Sequence, residues 1–240
     1  GYPLIIRDLK TNKEDTIPFV TNYTFAKEGM VLSYSTSGLK DSINPGIYIK
    51  NLKTNSSKQI HISHEKTKYF KLNLSNSGDK LAFVRDADST KTYQRPYELY
   101  LWESSQKNSK LILDTDSSPD GYKVSRYGDI KFSKNESKLY FGLGLPEIVQ
   151  DTLLLDEEIV NVEVWTYDEP RLYTVQEKQI ENDIKKSFQT VYHIKDDKLI
   201  QIATKEFPNA LLSNEGNGDY ALISNPEPYQ LSSQWTALFS

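Results

Sequence analysis

A ten-residue phrase recurs along this chain, and its recurrence limits the folds that the chain can adopt. Residues 74–83 read LSNSGDKLAF and residues 132–141 read FSKNESKLYF. Related phrases begin at Phe25 (FAKEGMVLSY) and at Leu212 (LSNEGNGDYALI), so that successive starts lie 49, 58 and 80 residues apart. A phrase that returns at long intervals is typical of a repeat architecture, in which each copy builds one structural unit.

The chemistry of the phrase is that of a hairpin. In the first of the two matched copies, Ser75 can hydrogen-bond the turn backbone and Gly78 can take a positive φ at no steric cost. Residues 80–83 then alternate in the period-2 pattern of a half-buried strand. We expect the apolar members of that strand, Leu81 and Phe83, to pack between neighbouring units.

A second phrase repeats in the same order. Residues 4–17 (LIIRDLKTNKEDTI) and 47–60 (IYIKNLKTNSSKQI) align without a gap at an offset of 43, and residues 99–112 (LYLWESSQKNSKLI) follow the same outline. This phrase is also a predicted hairpin, so two kinds of hairpin alternate and give a four-stranded unit with a period of about 45 residues. A sandwich could use the same hairpins, but it would not repeat both phrases in the same order.

The repeats predict an all-β fold, namely a partial β-propeller of about four to five four-stranded antiparallel blades. Residues 1–240 form one propeller domain in this interpretation. The first phrase occurs only four times, and the chain starts in the second half of a blade. We therefore expect a fragment of a larger propeller, whose open edges stay bare or pair with another chain.

Residues 142–190 interrupt this rhythm and form a predicted insertion. The insertion begins as a loop, continues as a predicted strand around residues 160–164, and ends in a helical pattern at about residues 175–188. Apolar residues form a rough stripe on that helix: Val175, Ile180, Ile184 and Phe188. We expect this one inserted helix to lie across the outer side of a blade.

Composition excludes several classes of function. The chain contains no cysteine and only three histidines, which leaves little for thiol or metal chemistry, so we predict no metal and no cofactor. His61 and His64 are interpreted as a solvated strand end and turn. The net charge is −4 without a cluster of basic and aromatic residues, which argues against a nucleic-acid partner. No apolar run approaches the roughly 20 residues that span a bilayer, so we predict no membrane span.

The segment WTYDEPRL, inside the insertion, gathers aromatic and charged side chains. Asp168 and Glu169 are adjacent and would face opposite ways on a strand, so they cannot act as an acid and base pair. We predict a structural role instead, in which Trp165 and Tyr167 pack and Arg171 pairs with a neighbouring carboxylate.

The repeated phrase begins with FS or LS, turns through SG or an equivalent, and closes with Leu-x-Phe. It resembles the WD40-like repeat of TolB-type proteins and of the amino-terminal propellers of prolyl oligopeptidase family serine peptidases. The insertion is similar to a tryptophan, aromatic, acidic-proline and glutamine signature in exported bacterial peptidases of that family, with Glu169 where an aspartate is usual. The residues of this structural or interface signature are Trp165, Tyr167, Pro170, Arg171, Leu172 and Gln176. Residues 228–235 (PYQLSSQW) look like the segment that opens the next blade in such proteins.

The resemblance implies a non-catalytic propeller domain of a serine peptidase that is periplasmic or otherwise exported. In that family the propeller caps an α/β-hydrolase catalytic domain of the same polypeptide and limits access to small peptides. The chain contains no G-x-S-x-G sequence, so we predict no catalytic residue in it, whereas the parent protein would be a peptidase. The alternative is a TolB-like or scaffold propeller that binds a protein partner and has no peptidase domain.

Overall fold

The chain folds into a series of antiparallel sheets. The computed structural model describes residues 1–39, 42–88, 90, 92–147, 166 and 169–230. Within these ranges there are sixteen strands, a twelve-residue α-helix, a short 3-10 helix and a helical stretch at residues 227–230. The strands form four sheets, and strand order follows chain order in each of them. Each sheet is therefore a meander, the arrangement that short hairpins produce.

The first sheet contains five strands because one of them is shared. Its order is β1 (Tyr2–Arg7), β2 (Glu14–Phe25), β3 (Val31–Thr36), β4 (Gly46–Asn51) and β5 (Ser56–Ile62). The first half of β2 pairs with β1 and the second half pairs with β3. Phe19, with a φ of 58°, marks the change between the halves. The β1–β2 hairpin contains the first copy of the second repeated phrase, so it corresponds to the last two strands of a preceding blade. Strands β2 to β5 form blade 1.

Blade 2 is a four-stranded sheet. It consists of β6 (Lys68–Leu74), β7 (Lys80–Asp86), β8 (Tyr97–Glu103) and β9 (Lys110–Leu113). The turn before β7 has the predicted chemistry, because Gly78 has a φ of 85° and the Ser75 hydroxyl accepts a hydrogen bond of 3.1 Å from the backbone N–H of Lys80. A serine and a glycine therefore close this hairpin.

Blade 3 has an interrupted first strand, and blade 4 follows it. Blade 3 contains β10 (Lys123–Val124), β11 (Lys131–Phe132), β12 (Lys138–Gly144), β13 (Phe188–His193) and β14 (Lys198–Gln201). Both β10 and β11 pair with β12. Between them the chain passes so close to β12 that a Cβ on Gly142 would lie 2.7 Å from the Cα of Gly128. In blade 4, β15 (Asn209–Leu212) pairs with β16 (Ala221–Ser224).

The fold is a partial β-propeller, as the repeats predict, with one helix inside the insertion. This helix, α1 (Tyr173–Ile184), begins and ends earlier than the predicted range of 175–188. Phe188 is not helical, because it pairs with Leu143 in blade 3 and is only 2% exposed. The predicted strand at 160–164 lies outside the described residues. No helix in the described part of the chain is long and apolar enough to cross a membrane.

The hydrophobic core lies between the blades. The cluster between blades 1 and 2 includes Ile47, Ile60, Leu81, Phe83, Tyr100 and Trp102. The cluster between blades 2 and 3 includes Ala82, Val84, Leu99, Leu101, Val124, Leu139 and Phe141. Residues 81–84 of β7 thus alternate between two buried faces, and none is more than 1% exposed. The period-2 pattern separates two blade interfaces here, whereas a half-buried strand would have one solvated face.

Candidate functional site

The two ends of each blade differ in the length of their connections. Short turns join the first and second strands of the blades, at residues 26–30, 75–79, 133–137 and 213–220. Longer segments join the second and third strands at the opposite end, at residues 37–45, 87–96 and 145–187. We call these the turn end and the loop end. Loops on a rigid scaffold are the usual position of binding residues, so the loop end is the candidate functional surface.

At the turn end, successive turns are joined to one another. The backbone N–H of Glu28 donates to the carbonyl of Asn76 at 2.9 Å. The backbone N–H and the hydroxyl of Ser77 donate to the two carboxylate oxygens of Glu136 at 2.7 and 2.8 Å. The third turn is hydrogen-bonded to the fourth in a similar way. These contacts fix the spacing of the blades at this end.

Glu136, in the third of these turns, has an unusual backbone conformation. It stands where Gly78 stands in the matched repeat, and it keeps a positive φ of 58° despite its side chain. Burial raises the pKa of Glu136, but the hydrogen bonds from Ser77 outweigh this effect and hold its pKa below the usual value. The carboxylate contact therefore offsets the strain of the left-handed backbone.

Replacing Glu136 with alanine is expected to lower the free energy of unfolding by about 2 kcal/mol, because two hydrogen bonds to a carboxylate are lost while the strain remains. Glu136→Gly loses the same bonds but relieves the strain, so it should recover about 1 kcal/mol relative to alanine. Urea unfolding followed by circular dichroism measures both values. Equal stability of the two variants would argue against strain at this position.

At the loop end of blades 2 and 3, ion pairs hold the starts of the long loops. The guanidinium of Arg95 lies 2.7 Å from a carboxylate oxygen of Asp86 and 3.1 Å from one of Asp88. Lys123 pairs with Glu147, just after β12. These residues are not among those predicted from the sequence, although two carboxylates at alternate positions followed by an arginine are a sequence pattern that favours such ion pairs.

Arg126 bridges blades 2 and 3 from the gap between β10 and β11. Its guanidinium carbon lies 4.7 Å from the ring centroid of Tyr127, 5.7 Å from that of Phe70 and 6.0 Å from that of Tyr97. Phe70 and Tyr97 belong to blade 2, so these cation–π contacts cross the blade junction. No sequence motif indicates this role for Arg126.

The predicted signature is partly described. Pro170, Arg171, Leu172 and Gln176 are among the described residues, whereas Trp165, Tyr167 and Asp168 lie outside them. The guanidinium of Arg171 lies 2.7 Å from the carboxylate of Asp183, and it also donates to the side-chain oxygen of Gln179 at 2.8 Å. The side-chain amide of Gln176 donates to the carbonyl of Arg171 at 2.8 Å. The residues before α1 therefore fold back onto the helix that they precede.

Helix α1 carries uncovered apolar side chains at the loop end. None of its residues is buried, and Ile180 and Ile184 are 59% and 65% exposed. The expectation that an apolar stripe of this helix packs across the outer side of a blade is therefore wrong. The stripe residues that are helical are not buried against a blade, and Phe188 belongs to β13. A groove of about 380 Å³ separates α1 from connectors of blade 4, including Pro208 and Pro226. Apolar residues four apart on an exposed helix are typical of a docking surface.

His61 also differs from its interpretation as part of a solvated strand end, because it is only 8% exposed. Its Nδ1 lies 2.8 Å from the hydroxyl of Ser109, and its Nε2 lies 3.3 Å from the guanidinium of Arg85. Burial and, secondly, the charge of Arg85 lower the pKa of His61 to about 4. His61 is therefore a neutral packing residue between blades 1 and 2. The described residues contain no group of three His, Asp or Glu placed to hold a metal ion.

Comparison with known proteins yields solved structures alone. No family profile and no curated protein matches the chain. The β-propeller domain of the trilobed protease from Pyrococcus furiosus is 16% identical over 80% of this chain and 45% of its own, with a TM-score of 0.44. An acylaminoacyl peptidase from Pyrococcus horikoshii is 15% identical over 86% and 28%, with a TM-score of 0.43. The tricorn protease is 11% identical over 94% and 28%, with a TM-score of 0.45. The chain spans less than half the length of each of these structures.

Proposed function

We propose that the chain is a non-catalytic propeller domain of an exported serine peptidase. It docks through its loop end onto an α/β-hydrolase catalytic domain of the same polypeptide and limits the access of peptides to that domain. The propeller fold and the likeness of residues 165–176 to the peptidase signature support this function. The observation that carries the proposal is the exposure of two isoleucines four residues apart on α1 at the loop end, whereas the turns at the opposite end are hydrogen-bonded to one another.

The geometry of α1 suits a docking element. A helix of twelve residues is marginally stable by itself. The Gln176 hydrogen bond holds the first turn of α1 in place, and the Arg171–Asp183 pair holds its last turn. Covering Ile180 and Ile184 would contribute roughly 1.5 to 3 kcal/mol for each side chain if burial were complete. A partner domain that packs on this face would therefore stabilise both the helix and the position of the cap.

The sequence that follows Ser240 tests the proposal. We expect it to encode, within about 300 residues, alternating strands and helices with a G-x-S-x-G sequence followed by an aspartate and a histidine. A reading frame that ends without such a domain would contradict the proposal. A small α/β domain before the propeller would then favour the TolB-like alternative.

The cap can be tested by the double substitution Ile180→Glu and Ile184→Glu in the full-length polypeptide. We expect hydrolysis of unfolded casein to rise at least about tenfold relative to hydrolysis of a short peptide, because the lost burial of two isoleucines exceeds the roughly 1.4 kcal/mol that shifts an equilibrium tenfold. Met30→Glu is the matched control, because Met30 is 52% exposed and lies at the turn end. An unchanged ratio in the double variant, or an equal rise in the control, would count against docking through α1.

A further inference from the structure

A cavity of about 390 Å³ lies between the β1–β2 hairpin and blade 1. The hairpin contributes residues 15–18 to its wall, and residues 42–44 form part of the rim. Strands β3 and β4 contribute Tyr34, Thr36, Tyr48 and Lys50. Sites for small ligands measure about 300 to 1,000 Å³, so this cavity has room for one small ligand.

The wall of this cavity contains a buried ammonium group. Lys50 is only 5% exposed, and its Nζ lies 2.7 Å from a carboxylate oxygen of Asp15, whose side chain is 42% exposed. Asp15 is the one ion-pair or hydrogen-bond partner that the described residues give to this Nζ. A lysine ammonium has several N–H donors, and each buried donor left without an acceptor costs about 1 to 3 kcal/mol. The remaining donors of Lys50 therefore favour a ligand that supplies oxygen acceptors.

Two tyrosines give the cavity a flat aromatic surface beside these polar groups. The rings of Tyr34 and Tyr48 stack with their centroids 5.3 Å apart and their planes 6° from parallel. The Tyr48 hydroxyl donates to the carbonyl of Asn44 at 2.9 Å, and burial raises its pKa, so the phenol stays neutral. The rim adds the hydroxyl of Ser42 and the amide of Asn44. Donors and acceptors thus surround an apolar ring surface.

The balance of charge selects the class of ligand. An anion would meet the carboxylate of Asp15, and a cation would meet the ammonium of Lys50. An apolar ligand would leave both groups and the rim hydroxyls desolvated without partners, at a cost for each of them. A neutral ligand with many hydroxyl groups can accept from Lys50, donate to Asp15 and place its C–H face near the tyrosines.

We propose that this cavity binds one saccharide unit, a neutral polyhydroxylated ring, by hydrogen bonds to Lys50, Asp15 and the rim. The site is separate from the docking surface on α1, and it does not depend on the proposed peptidase function. A bound saccharide would add hydrogen bonds between the hairpin and blade 1, which already meet through strand β2, the Lys50–Asp15 ion pair and apolar contacts.

Nuclear magnetic resonance of the 240-residue chain tests this site. The probes are the methyl glycosides of glucose, galactose, mannose and N-acetylglucosamine. At least one of them is expected to cause saturable shifts of the amides of residues 15–17 and 42–44, with a Kd of about 1 mM. Acetate and methylammonium, added in parallel, are expected to bind more weakly to the same residues. Absence of saturable shifts with all four glycosides, or tighter binding of either ion, overturns the proposal.

Two substitutions locate the binding within the cavity. Ser42→Ala removes an exposed rim hydroxyl without disturbing the core, and it should weaken binding about threefold to tenfold. Ser57→Ala is the matched control, since Ser57 is an exposed serine of β5 in the same blade, and it should leave the Kd unchanged. Lys50→Met should abolish binding if circular dichroism shows that it folds. If Lys50→Met does not fold, the Kd of the Ser42→Ala variant is the deciding measurement. An unchanged Kd in that variant overturns the assignment.

Discussion

Lowering the pH from neutral to about 4 is expected to reduce the free energy of unfolding by about 3 kcal/mol through His61. The pKa of His61 is about 4 in the folded chain, whereas its ordinary value is 6.5. Between these two values the unfolded chain binds more protons than the folded chain, so stability falls as the pH falls through this window. Above the upper value both states are neutral, and below the lower value both are protonated, so the His61 contribution is constant outside the window.

The surroundings of His61 explain this effect. Its ring meets those of Tyr69, Phe83 and Tyr100 edge-on, with centroids 4.7 to 5.9 Å apart. Among the described residues, the cation in contact with His61 is Arg85, whose Nε donates to a carboxylate oxygen of Glu98 at 2.6 Å. Because Glu98 already pairs with Arg85, a proton on His61 would add a second positive charge to the junction of blades 1 and 2.

Urea unfolding at a series of pH values measures the His61 effect. Exposed carboxylates also titrate in acid, so the comparison must be made with a variant that differs at one group. His61→Gln keeps a hydrogen-bonding side chain next to Ser109 but does not titrate. It should lose most of the pH dependence of stability between about pH 4 and 6.5. A variant with the same dependence as the parent chain would show that other groups are responsible.

Replacing Phe83 with alanine is expected to lower the free energy of unfolding by about 4 kcal/mol, the usual range for a buried phenylalanine. Phe83 is 0% exposed, and its ring stacks on that of Tyr100 with centroids 5.4 Å apart. Its loss would leave a cavity between blades 1 and 2, where Ile47 and Ile60 also pack. Calorimetry or urea unfolding of the variant gives the value directly.

Phe25→Ala provides the matched control for Phe83. Phe25 also lies in a strand beside a repeat turn, at the end of β2, but it is 53% exposed. Its substitution should cost less than about 1 kcal/mol, because little buried surface is lost. Similar costs at the two positions would mean that the junction of blades 1 and 2 relaxes around the missing ring, which would contradict tight packing there.

The repeats allow the strands, the turns and part of the core to be predicted. Ser75 and Gly78 shape the turn before β7, and Leu81 and Phe83 pack between blades, as the sequence predicts. These features are local, because turn chemistry and side-chain alternation are set within a few residues. The end of α1 is harder to predict from the sequence. Phe188 fits the helical spacing, but in the structure it pairs with Leu143 of β12.

The candidate sites depend on contacts that the sequence does not display. Glu136 bonds to a turn 59 residues earlier, and its positive φ contradicts the usual preference for glycine or asparagine. Lys50 and Asp15 meet because the β1–β2 hairpin folds over blade 1. No regular spacing in the sequence relates the two members of such a pair, so only the tertiary structure reveals the contact. The roles of Trp165 and Tyr167 stay predictions.

Strand β2 determines how unfolding can begin at this end of the chain. It pairs with β1 through its first half and with β3 through its second half, so no connector separates the hairpin from blade 1. Blades 1 and 2, in contrast, are joined by residues 63–67. The five strands of the first sheet therefore share one hydrogen-bonded ladder, in which the mostly exposed edge strand β1 opens most easily. Loss of β1 leaves the pairing of β2 with β3 intact, whereas separation of blade 2 from blade 1 requires that their packed faces part and that hydrogen bonds such as that between Glu28 and Asn76 break.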